Sequence, residues 1–197
     1  MRSLPSAVLT LLAKRTGHAV RNAVWIVARN YSTGAPEPLG FWDGEYDLTL
    51  TVNGAPRTYV RANSVFTVPT ITTQVGIEQR VLRIPIAGIS DALVTAVRAY
   101  DARLAPIEVH RLVFDPVTGA QLGFWRAFKG VVDQVTLPRG AVGGESEGEI
   151  AAVSSARALS RVLPFKKSDA TQARRSGDRF RRYVAISGEV NVKWERD

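Results

Sequence analysis

Between Ile77 and Val135 the pattern of apolar and polar positions passes through three regimes. In IEQRVLRIPI, Leu82, Ile84 and Ile86 alternate with Val81, Arg83 and Pro85, the period of a half-buried strand. Then Ile89, Leu93, Ala96, Val97 and Tyr100 share one helical face behind Ser90, a good N-cap. That spacing predicts a principal helix over Ser90–Tyr100. Two apolar runs follow, PIEVHRLVF and LGFWRAFKGVV, joined by DPVTGAQ. Pro116 and Gly119 suit a turn, so the pair reads as a long hairpin. Strand, helix and hairpin together predict a sheet with one helix laid on it.

The flanks extend this pattern. Residues 4–15 read as a short helix, opened by Pro5 and closed before Gly17. In 19–29, Val24, Ile26 and Ala28 point one way and Trp25 and Val27 the other. A strand apolar on both faces is covered on both sides or meets another subunit. Residues 30–44 hold three Gly and two Pro and read as a loop that tips Phe41 and Trp42 outward. In 45–61, Tyr46, Leu48, Leu50 and Val52 alternate with polar residues up to an Asn53-Gly54 turn, which predicts a tight hairpin. Pro69 makes 64–75 an edge or bulged strand.

Further on, the Gly and Glu of 138–149 mark a mobile surface loop without the spacing of an EF-hand. Residues 150–163 read as a strand first and a helix second. Ser168 should cap a short helix over 169–175 that stops before Gly177, with strands at Tyr183–Ile186 and around Val190, Val192 and Trp194. The organisation expected is a helical segment at 1–18 and a single β domain at 19–197, of which 157–197 is a basic end.

Charge sharpens the picture. Of the net +8, residues 1–156 contribute 15 Lys/Arg against 13 Asp/Glu, while 157–197 contribute 11 against 5. A basic end suits nucleic acid, an acidic protein surface or an anionic membrane. The chain has no Cys, which removes disulfides, thiol nucleophiles and cysteine-held metals. Residues 6–13 are too short to span a bilayer and run into Lys14 and Arg15 rather than a cleavage site, so no membrane role is expected.

Candidate chemistry is sparse. His18 and His110 lie in different regions without a base or metal partner, and His110 reads as a surface or interface histidine. None of the common hydrolase, zinc or nucleotide motifs occurs. Asp43 and Glu45 could be posed as a carboxylate pair, but paired carboxylates need a defined separation in a cleft. A hydrolase would show a deep pocket holding a carboxylate of raised pKa. No catalytic residue, cofactor or metal is expected. A surplus of aromatic residues points instead to protein–protein contact, with Phe41, Trp42 and Trp125 as candidates.

The order of motifs resembles the minor tail proteins of long-tailed bacteriophages, in the group with distal-tail and baseplate-hub components. The residues that carry it are VWIVA, Thr33-Gly34, the Asp43–Tyr46 turn, VGIEQRVLRIPIAGIS, APIEVHRLVFDPVTG with FKGVVDQV, and the ending SSARALSRVLPFKKSDATQARRSGDRFRRYV closing on VKW. In that ending Arg161, Gln172, Arg174, Gly177, Asp178, Phe180, Tyr183 and Trp194 match the group's pattern. Some relatives end in a cysteine-rich metal-binding segment; without Cys, no metal role carries over.

The resemblance implies an α+β, mainly β fold, a sandwich or partly closed tail-tube-like barrel with one principal helix. It implies a non-enzymatic virion protein of the tail tip, assembled in the host cytoplasm. Its partners would be copies of itself (a hexameric ring ahead of a trimer), the tail tube protein, and baseplate-hub or tail-fibre proteins, with DNA only in transit through the channel. Arg174, Arg175, Arg179, Arg181 and Arg182 join Phe41, Trp42 and Trp125 as interface candidates. The alternative is a basic nucleic-acid-binding module acting through 161–183.

Overall fold

The computed structural model describes residues 4–14, 17–62, 66–72, 79–87, 99–137, 148–160 and 165–183. The chain divides into two compact units, Met1–Leu159 and Ser160–Asp197. The first is mostly β. It opens with helix α1 (Ser6–Ala13) and continues through β1 (Ala19–Asn30), β2 (Pro36–Trp42), β3 (Leu48–Val52) and β4 (Ala55–Arg61). Then come β5 (Val81–Ile86), β6 (Tyr100–Asp101), β7 (Pro106–Phe114), β8 (Gln121–Thr136) and β9 (Gly148–Ser154). A helical turn, α2 (Arg157–Ser160), spans the boundary between the units.

The strands form one open mixed sheet in the order β3-β4-β2-β1-β7-β8-β9-β5, with β6 on β1. Every pairing is antiparallel except β2 with β4. No barrel closes among the described residues, since the end strands β3 and β5 do not pair with each other. β8 spans both halves of the sheet. It pairs with β7 from Gln121 to Val131 and with β9 from Gly130 to Thr136, with register shifts at Val109/His110 and Val132/Gln134. The turn before it is held by Asp115, whose carboxylate accepts from the Val117 N–H at 2.8 Å.

Both faces of β1 are covered, as its two-sided apolar pattern predicts. On one face, Val24, Ile26 and Ala28 join Ile107, Val109, Phe128, Val132, Ala152, Leu82 and Ile84 in the main core. Each of the larger of these side chains, Val, Leu, Ile and Phe, contributes roughly 1.5–3 kcal/mol on burial. Farther along that face, α1 lays Val8 and Leu11 on Val113, with Leu122 and Trp125 packed against them.

The other face is covered by the β3–β4 hairpin. Its turn has Asn53 and Gly54 both at positive φ (53° and 81°), as a tight hairpin requires. Between β4 and β7 lie two strands, yet Arg57 and Tyr59 of β4 reach Glu108 and His110 of β7, so the hairpin folds over the sheet. There Leu50, Val52 and Tyr59 close on Ala23, Trp42, Leu112 and Phe114. Gly40 permits the approach: a Cβ there would collide with the Thr58 carbonyl and the Trp25 ring.

Several sequence expectations are corrected. Residues 36–42 are strand β2, not loop. The register explains how two prolines fit. The Asn30 N–H donates to the Ala35 carbonyl at 2.9 Å, so by alternation Pro36 and Pro38 occupy the positions whose nitrogens face away from β1. On that side β4 pairs only with Phe41 and Trp42, leaving the prolines on an open edge. Residues 66–72 form no strand beyond a bridge from Phe66 to Ile86. Ser90 and the body of the expected principal helix lie outside the described residues, and Tyr100 is in β6, paired with Asn30. The strand expected over 150–163 is realised only to Ser154, as β9, and residues 157–160 are helical instead. Most of the 138–149 loop, residues 161–163 and the strands expected after Tyr183 lie outside the described residues.

The second unit holds helix α3 (Asp169–Ala173), capped by Ser168 as predicted: its side chain accepts from the Thr171 N–H at 3.3 Å. Ser176 and Gly177 follow at positive φ (54° and 75°) and turn the chain back.

Candidate functional site

The candidate residues fall into separate places. Trp42 is 2% exposed, stacked on Phe114 with centroids 6.1 Å apart and edge-on to Tyr46 at 5.0 Å. Its indole N–H donates to the Tyr46 carbonyl. It is a core residue, and burial withdraws it as a contact residue. Phe41 is partly buried against the main core, and Trp125 is partly buried beneath α1. Neither stands at a loop tip. The five arginines belong to the second unit, where Arg179 is held by Asp169 at 3.1 and 2.6 Å.

Between the hairpin and the sheet lies a polar cluster that the sequence pattern gave no sign of. The Glu108 carboxylate accepts from Arg57 of β4 at 2.7 Å and from Arg126 of β8 at 3.0 Å. The Arg57 guanidinium also covers the Trp25 ring at 5.0 Å. Burial alone would raise the Glu108 pKa, but Arg57 and then Arg126 outweigh it and hold the carboxyl below its usual range. Beside it His110 is 2% exposed, with Nδ1 3.5 Å from the Tyr59 hydroxyl and Nε2 3.9 Å from Glu108. Burial pushes its pKa down to about 4 despite that carboxylate, so the ring is neutral near pH 7. The expectation of a surface histidine is corrected: the hairpin, fifty-one residues earlier, buries it. Burial also raises the Tyr59 hydroxyl above its ordinary value, so it stays protonated. The cluster ties two layers together through a shared carboxylate.

A cavity of about 600 Å³ opens elsewhere on the first unit, lined by Arg21, Asn22, Asp43, Glu45 and Phe66–Val68. Asp43 Oδ1 accepts from the Asn22 N–H at 2.8 Å, and Oδ2 from the Asn22 amide at 3.3 Å. Burial raises its pKa, against the lowering effect of those bonds and of Arg21. The structure thus brings Asp43 and Glu45 to one cavity. Both Asp43 oxygens are engaged in fastening the end of β2 to β1. Among the described residues, no group of three or more His, Cys, Asp or Glu side chains is placed to hold a metal ion, and no helix is long and apolar enough to cross a membrane.

No protein-family profile matches the chain, and no curated protein does. The fold, in contrast, has a counterpart among solved structures. It is similar to a chain in the virion of a native gene transfer agent (GTA) particle, with a TM-score of 0.51 at 15% sequence identity. The similarity covers 83% of this chain and 49% of that one, so this chain spans about half the length of its structural counterpart. At that identity the likeness is one of fold.

Proposed function

We propose that the chain is a structural subunit of a phage-like virion, and more narrowly a ring-forming distal-tail or hub subunit that joins the tail tube to the baseplate. The observation that carries this reading is the shared fold, over 83% of the chain, with a chain of a gene transfer agent virion. The resemblance of the motifs to minor tail proteins supports the narrower form. Subunits would associate head to tail, since such interfaces close into rings when the rotation fits. The ring, a hexamer ahead of a trimer, would leave a channel for DNA and require no catalytic chemistry. Exposed apolar side chains such as Leu9 and Leu12 of α1 and Val117 of the β7–β8 turn are available for subunit contact.

Light scattering on the purified protein, with and without high salt, tests the ring, together with antibody labelling of purified particles. The expected results are a hexameric mass and label at the tail tip. A monomer at every concentration together with unlabelled particles would overturn the reading. A hydrolytic reading rests on one observation, the raised Asp43 carboxyl in its cavity. It requires that Asp43→Asn abolish a cell-wall-degrading activity of the purified protein.

A further inference from the structure

Residues 165–183 carry seven Lys/Arg and two Asp. Both carboxylates are engaged within the segment itself. Asp169 holds Arg179 through two hydrogen bonds, at 3.1 and 2.6 Å. Asp178 accepts from the Gln172 amide and from the Phe180 N–H, the latter at 2.9 Å. With the Ser168 cap and the Gly177 N–H bonded to the Ala173 carbonyl at 3.0 Å, these contacts fix α3 and the turns after it into one small scaffold. Its remaining cations, Lys166, Lys167, Arg174, Arg175, Arg181 and Arg182, form no ion pair among the described residues. Aromatic rings lie among them. Phe180 is 86% exposed between Arg179 and Arg181, and Tyr183 is 63% exposed with Arg182 over its ring at 5.7 Å.

We propose that this segment is a nucleic-acid-binding site, in which the arginines grip the phosphodiester backbone and unpaired bases stack on Phe180 and Tyr183. Three features select this ligand. Four arginines, Arg174, Arg175, Arg181 and Arg182, carry planar guanidinium forks that match phosphate oxygens, and two of them, Arg174 over Phe165 and Arg182 over Tyr183, lie against aromatic rings. An apolar ring held out in water among cations gains from a stacked base, whereas an acidic polypeptide supplies charge but no plane to cover it. Residues 1–159 carry 16 Lys/Arg against 13 Asp/Glu, so the first unit of a second copy is itself net basic and is not the missing polyanion. The site does not depend on the ring: binding and assembly are read by different measurements.

The test is fluorescence anisotropy of a labelled oligothymidine of about 20 nucleotides with the full chain, between about 50 and 200 mM salt. Contact with about four phosphates gives a slope of log affinity on log salt near −3, a loss of more than tenfold over that range. Reversing Arg175, Arg181 and Arg182 to Glu should lower affinity at least tenfold further. Arg29→Glu, an exposed charge of the first unit, should leave it unchanged. Phe180→Ala with Tyr183→Ala should weaken the single strand more than a duplex of equal length. These surface changes leave the core intact, and an unchanged far-ultraviolet spectrum checks this. No binding by the wild-type chain at low salt, or equal binding by the charge-reversed variant, would overturn the proposal. So would competition by polyglutamate as effective as by the oligonucleotide, which would assign the surface to an acidic polypeptide.

Discussion

Arg57 and Glu108 meet at 2.7 Å across two layers, fifty-one positions apart, with side chains only 19% and 14% exposed. Glu108 is also the acceptor for Arg126 and lies 3.9 Å from the His110 ring. One carboxylate therefore balances two guanidiniums where the hairpin rests on the sheet. Glu108→Gln should cost about 2–4 kcal/mol, because it leaves Arg57 desolvated without its counter-charge. Urea unfolding measures this. Arg57→Met in the same background should recover part of the loss, since it removes the stranded cation.

Acid should destabilise the first unit in two successive windows. His110 has a folded pKa of about 4 against an ordinary 6.5, so between those values the unfolded chain binds the proton more readily. The stability it supports is present above about pH 6.5 and is lost as pH falls toward 4, by about 3 kcal/mol at most. The Glu108 carboxyl is shifted the same way: its contribution persists above its ordinary pKa and is lost as pH falls through the lowered folded value. Denaturant midpoints of wild type and His110→Gln, measured from pH 7 to pH 4, should converge as the pH falls.

Gly40→Ala tests the close contact of β4 with β2. The new methyl would meet the Thr58 carbonyl and two carbons of the Trp25 ring at 2.9 Å. Backbone cannot yield as a flexible side chain can, so a loss of about 1–3 kcal/mol is expected. It should come with altered Trp25 fluorescence, as the hairpin lifts from the ring. An unchanged thermal midpoint would show that the layers are less tightly apposed than described.

In the second unit, Ser168→Ala removes the acceptor for the Thr171 N–H and should cost roughly 1 kcal/mol locally. The readout is faster amide exchange at Thr171 and Gln172, with the first unit unaffected.

Local patterns made much of the fold legible. Period-two alternation placed β5, the two-sided apolar run placed β1, and the paired apolar runs around the Pro116–Gly119 turn placed β7 and β8; the Asn53-Gly54 dipeptide placed the hairpin, and Ser168 announced α3. What stayed hidden depends on tertiary contact. Pro36 and Pro38 disguised β2 as loop, because only the register shows that their nitrogens face an open edge. Trp42 read as a loop-tip aromatic for the same reason. His110 read as a surface group because nothing near it in sequence announces that Tyr59 will lie over it. The Glu108 cluster draws on β1, β4, β7 and β8, a convergence that no spacing along one strand encodes. Asp43 and Glu45 were visible as neighbours, but the cavity they share is made by Arg21, Asn22 and Phe66–Val68 as well.

The two ways of attaching strands to this sheet differ mechanically. β8, at 16 residues and about 53 Å, is bound to β7 along one part and to β9 along the other. A pull along its axis loads many rungs side by side, and they must shear together. The β3–β4 hairpin has only Phe41–Val60 and Trp42–Arg61 as backbone pairs to β2; side chains hold the rest. A pull on its Asn53-Gly54 tip would strip those contacts one after another, like tape from a surface. Under tension the unit should keep its long rail intact and yield first at the flap.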